Sequence, residues 1–442
     1  MRVLAALAAL FAASSSAFAD GDWDPAGGPG INSSSNIGLT ALRAFNTFLY
    51  IGTENPSLGA RIYRTNDGVA FTTVATGGFG DGVTKITEFE EFSGVLYCGT
   101  ASPAGGSVYR SSDGLVWTLV SPVGLGSATN AEVTALAIYS GAIYAATRKT
   151  GGGGAELWKS TDGTTWTTSI TTTGFGDADN TAINDLEVSS SFLYAATTNT
   201  VDGGNYVQIT SGGTFTILVN DGFSSSANTA FTALELYRGE MYIGTRNSSN
   251  GYEVWATPDN FGFFRRLKDG GSDPQNVLVT DLERFGDFLY VGVESVGEPF
   301  EVLRTFDGFN YDQEDADGFD NPANFRANDF ADYANNIWCG TSNPAGGDLY
   351  ETELPSSGSF SASSDDDDSH SWRSRCFVAT AAYGSPAVPR VAELRRIRDQ
   401  RVEACVAGRR FTDLYRASAP PVAEVVHGSE VLRALLRRTL LK

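Results

Sequence analysis

Histidine is nearly absent from this sequence, which has 2 histidines in 442 residues, His370 and His427. Both lie near the C-terminus, outside the repeated region described below, so a Ser-His or Cys-His nucleophilic site is not supported in that region. No His-rich or Cys-x-x-Cys metal pattern, Walker loop or dinucleotide fingerprint is present. We therefore expect neither a metal nor a cofactor, and no catalytic triad.

Cysteine is also scarce, and its four positions form two groups. Cys98 and Cys339 occupy the same repeat position, where the other repeats carry Ile, Ala or Val, and this predicts two buried thiols that behave as small hydrophobes. Cys376 and Cys405 both lie in the C-terminal segment. In an oxidising compartment they could form a disulfide, and the sequence leaves the paired and the free state open.

Long hydrophobic runs are missing after the first 20 residues. The first segment, MRVLAALAALFAASSSAFAD, has an Arg, an apolar stretch and an Ala17-Phe18-Ala19 cleavage pattern, as secretory signal peptides do. No later run approaches the ~20 apolar residues that a spanning helix needs. Residues 1–19 therefore predict an exported protein, secreted, periplasmic or on the cell surface, without a transmembrane helix.

Positive charge is in short supply and unevenly distributed. The chain has 31 Lys and Arg against 52 Asp and Glu, a net charge of −21. Residues 376–442 hold 12 basic and 6 acidic side chains, which leaves 19 against 46 in the rest of the chain. Two domains with different surfaces are implied. The acidic part would repel a phosphate backbone, so nucleic acid is not expected as a partner.

What the sequence has in abundance is a repeat, represented by the stretch from Val133 to Ser169. The threonine of its Tyr-x-x-Thr core returns at steps of 47 to 50 residues, with one valine replacement, at Thr53, Thr100, Thr147, Thr197, Thr245, Val293 and Thr341. A period in that range is typical of propellers and solenoids. Each unit has four runs in which apolar and small residues alternate, and this predicts four strands.

Six units are complete, and a seventh lacks its fourth strand. The six span residues 39–75, 86–120, 133–169, 183–219, 231–268 and 279–313. Residues 20–29 align with the outer strand of a unit, so pairing between the two ends of the repeat region would cover two exposed sheet edges. The prediction is an all-β, seven-bladed β-propeller of four-stranded blades over residues 20–354, closed by the N-terminal strand.

Tight Asp-Gly turns join the third and fourth runs of several units. They contain Asp67, Asp113, Asp162 and Asp307, and the segments RSSDGLVW and KSTDGTTW resemble the Asp-box (BNR) repeats of sialidase-like propellers. In that family the boxes lie between the outer strands, away from the ligand face, so the resemblance implies that these aspartates are structural. Gly follows Asp directly here, and no Phe/Tyr-Arg-Ile-Pro segment precedes the boxes, so the match to true sialidases is loose.

The C-terminal part of the chain has a different character. Residues 355–375 are polar, include four consecutive aspartates, and predict a flexible linker. The following segment begins CFVATAAYGS at Cys376 and resembles the CFI-box C-terminal domain of exported bacterial proteins, with Val378 in place of the usual Ile. Apolar stripes on basic segments predict a small α-helical module over residues 376–442, which packs on itself or associates peripherally with an anionic envelope surface.

Candidate binding residues come from positions where the repeats differ. Directly after the repeated threonine or valine, the predicted ligand-face loops begin with Glu54, Arg148, Arg246 and Glu294 in four of the units. Two arginines and two glutamates facing a common axis would orient an anionic or polyhydroxyl ligand, although such charges are also ordinary on a soluble surface. Gly-aromatic motifs, such as GGFGD from Gly77, recur before most units, and this repetition favours a packing role.

The leading functional hypothesis is an exported, non-enzymatic binding module that recognises a glycan, polymer or protein ligand. The first alternative is a secreted glycoside hydrolase, sialidase-like or inverting, because Asp and Glu are abundant enough to supply a carboxylate pair. The second alternative is an architectural surface protein.

Overall fold

A computed structural model describes residues 23–353, apart from residues 171, 259–263, 270–274 and 316. Within them, 28 strands are joined in a single antiparallel sheet that contains seven repeat units. Several predicted features lie outside the described residues: the signal peptide at 1–19, the linker at 355–375, the helical module at 376–442, Cys376, Cys405, His370 and His427.

The first three units follow a short N-terminal strand, β1 (Asp24–Ala26). Their strands are β2 (Gly38–Phe45), β3 (Phe48–Glu54), β4 (Ile62–Thr65), β5 (Thr72–Ala75), β6 (Lys85–Phe92), β7 (Val95–Ala101), β8 (Val108–Ser111), β9 (Thr118–Leu119), β10 (Asn130–Tyr139), β11 (Ala142–Lys149), β12 (Leu157–Ser160) and β13 (Thr167–Thr168). Short 3-10 turns at Gly77–Gly80, Val123–Gly126 and Thr173–Gly176 precede the second, third and fourth units.

The remaining four units continue the same order, and the last has three strands of its own. Their strands are β14 (Asn180–Ser189), β15 (Phe192–Asn199), β16 (Tyr206–Ile209), β17 (Phe215–Val219), β18 (Ala230–Tyr237), β19 (Glu240–Arg246), β20 (Glu253–Pro258), β21 (Arg265–Asp269), β22 (Asn276–Phe285), β23 (Phe288–Ser295), β24 (Val302–Thr305), β25 (Asp312–Asp315), β26 (Arg326–Tyr333), β27 (Asn336–Ser342) and β28 (Leu349–Glu353).

The core lies on both faces of the second strand of each unit. All five central residues of β3 are buried, whereas the two residues of β9 and of β13 are exposed. A large aromatic side chain recurs at one position of the second strands and is at most 2% exposed in every unit, at Tyr50, Tyr97, Tyr144, Tyr194, Tyr242, Tyr290 and Trp338. Because burying one such side chain contributes about 1.5–3 kcal/mol, these residues are a main source of cohesion between units.

The repeated threonine has a structural role. Its hydroxyl accepts the first backbone N–H of the third-strand segment, at 2.9 Å from Arg61 to Thr53 and 2.9 Å from Asn205 to Thr197. The same bond occurs at Thr341, where the donor is the Asp348 N–H at 2.9 Å. A buried N–H without a partner would cost about 1–3 kcal/mol, which explains why a hydroxyl recurs here.

Each first strand carries a β-bulge just after its start, as in β14 between Ile183 and Asp185. The bulged residue points a hydroxyl or amide at the next unit. Asn184 donates to the Phe231 carbonyl oxygen at 2.7 Å, and Asn328 donates to the Leu39 carbonyl oxygen at 2.9 Å. Four other bulge residues make the equivalent bond: Thr40, Thr87, Thr134 and Thr232. In six of the seven units, a bulge thus redirects one side chain toward the next unit, and the exception is Thr280, whose hydroxyl has no such bond.

The predicted fold class is wrong. Seven backbone bridges connect the start of each first strand to the end of the preceding second strand, as in Glu54↔Lys85, Arg148↔Ala182 and Gly38↔Ser342. The first and second strands, 14 in all, therefore close into an antiparallel barrel, in place of the seven separate blades expected. The repeat period marks each four-stranded unit but carries no sign of these bridges, because they pair residues of different repeats. No α-helix occurs among the described residues.

The N-terminal strand completes the last unit. Strand β1 pairs antiparallel with β28, in the register Asp24↔Glu351 to Ala26↔Leu349. This is the pairing predicted for residues 20–29. Trp23 anchors the segment, because its ring stacks on Phe319 at a centroid distance of 4.5 Å.

The two cysteines of the repeat region are free and completely buried at Cys98 and Cys339, so their predicted role as small hydrophobes is confirmed. Burial raises the pKa of the Cys98 thiol. In the part of the chain that the structure describes, no helix has the length and apolar character needed to cross a membrane.

Candidate functional site

The four predicted turn aspartates lie at the outer edge of their units and bind backbone N–H groups. Asp162 Oδ1 accepts the N–H of Thr164 at 2.8 Å and of Thr165 at 2.6 Å, and Asp67, Asp113 and Asp307 make the same pair of bonds. These bonds stabilise the ionised form, so they lower the pKa of Asp67, Asp113 and Asp162. Each of these carboxylates therefore binds backbone N–H groups of its own turn.

The glycine after the turn aspartate is required by a neighbouring unit as well as by its own backbone. Gly163 has φ +70°, and a Cβ there would lie 1.9 Å from the Tyr97 hydroxyl oxygen of the preceding unit. The Asp-Gly turn is therefore part of the contact between units.

The Gly-aromatic motifs also have a packing role. Buried asparagines at the start of the first strands hold the loops, as Asn180 does by donating to the Gly174 carbonyl oxygen at 2.8 Å. The aromatic residue then turns inward: Phe175 is 2% exposed, and Phe223 stacks on Trp255 at 4.2 Å. These loops therefore form part of the ligand face predicted from the sequence, but their aromatic rings pack inward and are not exposed to a ligand.

The four predicted binding residues all sit at the backbone bridges between units. Glu54 bridges to Lys85, Arg148 to Ala182, Arg246 to Leu278 and Glu294 to Arg326. Of the four, the structure brings Arg246 and Glu294 together, with Arg246 Nη2 3.8 Å from Glu294 Oε1. Glu54 and Arg148 lie at two other bridges.

Ion pairs within and between units neutralise charge on three of these residues, Arg148, Arg246 and Glu294. Arg148 Nε lies 2.7 Å from Glu132 Oε2, and Lys85 contacts the other oxygen of Glu132 at 3.5 Å. Desolvation opposes ionisation of Glu132, but Lys85 and Arg148 outweigh it and lower its pKa. Arg326 pairs with Glu294 in a similar way, at 3.1 Å. Arg246 therefore connects neighbouring units and Arg148 is paired within its own unit, so neither is free to form a purely anion-binding site.

A second set of charges, which the sequence reasoning missed, lies on five of the first strands. We call them the inner carboxyls: Glu88, Glu90, Asp185, Glu187, Glu235, Asp281, Glu283 and Asp329. All are half-buried. Because the first strands are consecutive neighbours around the closed ring, these carboxyls converge on its interior.

Three inner carboxyls also connect neighbouring units by accepting backbone N–H bonds: Asp185, Asp281 and Asp329. The carboxylate of Asp185 accepts the N–H of Leu186 at 2.7 Å and that of Leu234, in the next unit, at 2.6 Å. Asp281 bonds the N–H of Phe330 in the same way, at 2.9 Å. Desolvation outweighs these bonds and raises the pKa of Asp185 and of Asp281 to about 6. Both groups are therefore mostly ionised at neutral pH.

The glutamates of this set behave differently. Desolvation, followed by the charge of a neighbouring carboxylate, raises the pKa of Glu187 and Glu283 to about 8. The same causes raise the pKa of Glu235 to about 10. Arg43 opposes this effect at Glu90, whose Oε1 lies 2.9 Å from its Nη2. The raised pKa values of Glu187, Glu235 and Glu283 therefore favour the protonated form of these three side chains at neutral pH.

A sequence signal for the inner carboxyls does exist. Three of the first strands, reading EFEEF, NDLEV and TDLERF, carry acidic residues at alternate positions around an apolar one, and a fourth, ALELY, carries one acidic residue between two leucines. Alternation alone is also the pattern of a strand with one solvated face, so it does not reveal that the acidic faces of different repeats converge.

No cluster of three or more His, Cys, Asp or Glu suited to a metal ion occurs in residues 23–353 as described. No family model matches this chain, and no curated protein matches it. Among solved structures, Sqt1 of Saccharomyces cerevisiae is similar to 75% of this chain over 100% of its own, with 13% identity and a TM-score of 0.46.

Proposed function

We propose that the protein is an exported, non-enzymatic binding scaffold that recognises a cationic partner, such as a basic protein segment or polymer, through its inner carboxyls. The observation that carries the proposal is the convergence of eight carboxyls on one interior, where Arg43 opposes the raised pKa values of three of them, Glu88, Glu90 and Glu283. A cluster of one sign in a partly buried site concentrates the opposite charge.

The raised pKa values predict that cation binding depends on pH. A bound cation favours the ionised form of nearby carboxyls, so its arrival lowers their pKa and releases protons. Glu187 and Glu283, with pKa values of about 8, are the groups that would lose protons near neutral pH. The affinity for a cation should therefore rise between pH 6 and pH 8.5.

Export is supported by the secretory pattern at residues 1–19. The basic segment at residues 376–442 is proposed, as the sequence predicts, to place the protein at an anionic envelope surface. An attraction of that kind weakens with salt, because exposed charges are screened over about 8 Å at physiological ionic strength.

The test is calorimetric titration of the mature chain, residues 20–442, with decalysine at pH 6 and pH 8.5. We expect tighter binding at pH 8.5, with proton release visible as a dependence of the heat on the ionisation enthalpy of the buffer. The double variant Glu187→Gln/Glu283→Gln should weaken binding at pH 8.5 about tenfold, about 1.4 kcal/mol, and should reduce the proton release.

The matched control is Asp179→Asn/Asp320→Asn, which removes two carboxylates that are exposed. It should change the affinity less than threefold. Equal losses in the two double variants would show that the attraction is general and would overturn the proposal. Binding of anionic glycans that is lost in Arg148→Ala and Arg246→Ala would instead support the site predicted from the sequence. Steady release of reducing sugar would support a glycoside hydrolase.

A further inference from the structure

We propose that a cavity on the fourth repeat unit binds a primary ammonium group carried on an aliphatic chain, as in a lysine side chain or a polyamine. The cavity has a volume of about 390 Å³ and lies among the loops before β14, between β15 and β16, and after β17. Its lining includes Asp177, Asp202, Asn205, Ile217, Asn220 and Asp221. It is separate from the inner carboxyls, which lie on the first strands.

The cavity exists because the fourth unit lacks side chains that fill the same place in the fifth. There, Glu253 accepts bonds from Trp255 Nε1 at 2.8 Å and from Arg266 Nη1 at 2.9 Å. By strand register, Val207 pairs with Ile217 as Trp255 pairs with Arg266. The fourth unit therefore has Asn205, Val207 and Ile217 where the fifth has Glu253, Trp255 and Arg266.

The third unit fills the position with a similar set. Glu156 accepts bonds from Lys149 Nζ at 2.9 Å, Trp158 Nε1 at 3.0 Å and Asn130 Nδ2 at 2.9 Å. In both neighbouring units, then, a carboxylate at this position is satisfied by a cation and an indole of the same unit. The fourth unit has neither of these two partners.

Asn205 is left with an unsatisfied acceptor. Its side chain is 2% exposed, and its Oδ1 is buried without a hydrogen-bond partner. Its backbone is fixed, because the Asn205 N–H donates to Thr197 Oγ1 at 2.9 Å. A buried acceptor without a donor costs about 1–3 kcal/mol. A ligand that brings a donor into the cavity would recover that free energy.

The remaining lining selects a cation. Asp177, Asp202 and Asp221 contribute three carboxylates, and no Lys or Arg is among the lining residues. Asp177 is positioned by Asn199, whose Nδ2 donates to its Oδ2 at 2.8 Å. An ammonium group has three donors and no acceptor, which matches this set, and the exposed side chain of Ile217, 38% accessible, offers apolar contact to an alkyl stem.

The experiment is calorimetric titration of the mature chain with Nα-acetyl-lysine amide, spermidine and butanol at low salt. We expect the two ammonium compounds to bind and butanol, which has an alkyl stem but no charge, not to bind. Tighter binding of Nα-acetyl-lysine amide would identify the natural ligand as a protein side chain, and tighter binding of spermidine would identify it as a polyamine. Binding of butanol as tight as that of the amines would overturn the proposal.

The decisive variant transplants the fifth unit's set into the fourth: Asn205→Glu, Val207→Trp and Ile217→Arg. It places an internal cation in the cavity, so amine binding should fall at least tenfold while the melting temperature holds or rises. A second variant, Asp202→Asn/Asp221→Asn, changes two exposed side chains and should weaken binding about threefold to tenfold. Unchanged binding in the second variant would overturn the proposal, whether or not the first one folds.

The inner-carboxyl proposal and the cavity proposal can be refuted independently of each other. Glu187→Gln/Glu283→Gln should leave binding of the small amines within twofold of the unmodified protein, because these glutamates lie on β14 and β22 and not in the cavity. A parallel loss of amine binding in that variant would assign the ligand to the ring interior and would overturn the cavity as a distinct site.

Discussion

Carboxyl groups occupy two regions of this protein, and the same chemical group behaves in opposite ways in them. At the outer edge, Asp67, Asp113 and Asp162 each accept two backbone N–H bonds in an exposed turn, and their pKa values are lowered. In the ring interior, Asp185 and Asp281 also accept two backbone N–H bonds, yet desolvation raises their pKa to about 6.

The difference shows that hydrogen bonds alone do not decide the charge of a carboxyl. Water reaches the turn aspartates and stabilises their ionised form, so the N–H bonds add to a favourable state. In the interior, partial loss of water and the presence of other carboxylates exceed the same two bonds. The outer carboxylates therefore stabilise the fold, whereas the inner carboxyls oppose one another in the absence of a cation.

Removing the N-terminal strand should have the largest effect on stability, because it leaves the outer edge of the last unit uncovered. Deleting residues 20–30 removes β1, the stacking of Trp23 on Phe319 and the cover over the β28 edge. We expect the melting temperature to fall by on the order of 10 °C, measured by circular dichroism. Deletion of residues 20–22 alone, which stops before β1, is the control. An unchanged melting temperature in the longer deletion would show that β1 does not stabilise the last unit.

The melting temperature should depend on pH because of the inner carboxyls, and we expect it to change by several degrees. A folded-state pKa raised from 4.5 to about 8, as at Glu187 and Glu283, means that the folded protein keeps protons which the unfolded chain releases. The associated stability is present below about pH 4.5 and is lost as the pH rises toward 8. The melting temperature should therefore fall between pH 5 and pH 8.5.

The double variant Glu187→Gln/Glu283→Gln should flatten that profile, because the amides do not ionise. The exposed pair Asp179→Asn/Asp320→Asn serves as the control and should keep the slope. If the unmodified protein gains stability from pH 5 to pH 8.5, the inner carboxyls are not the groups that dominate its titration.

The smallest effect is expected at the outer edge. Asp162→Asn keeps an oxygen acceptor but removes the charge that strengthens the bonds to Thr164 and Thr165. The melting temperature at pH 7 should drop by a degree or two. Because the pKa of Asp162 is lowered in the folded state, the difference from the unmodified protein should shrink as the pH falls below 4. A difference that grows in acid would contradict the assignment of the ionised form to this turn.

Local features of the fold were predictable from the sequence. The Asp-Gly turns, the four-strand units and the pairing of the N-terminal segment with the last unit depend on short motifs or on direct alignment of one repeat with another. The closure of 14 strands into a barrel was not predictable, because bridges such as Gly38↔Ser342 pair residues that share no local motif. The candidate binding residues Arg148, Arg246 and Glu294 were recognised as unusual positions, but the pairing of Arg148 with Glu132 and of Arg246 with Glu294 was not predicted.

The sequence by itself determined the period, the turn chemistry and the excess of acidic residues, because each of these is written in neighbouring residues or in composition. Only the tertiary structure decided which carboxyls meet and which part of one unit stays unfilled. Glu187 and Glu283 are 96 positions apart in the chain, and their interaction depends on closure of the ring. The cavity at Asn205 depends on the absence of an indole and a cation from the fourth unit. That absence can be recognised only from the strand register, which places Val207 and Ile217 at the positions of Trp255 and Arg266 in the next unit.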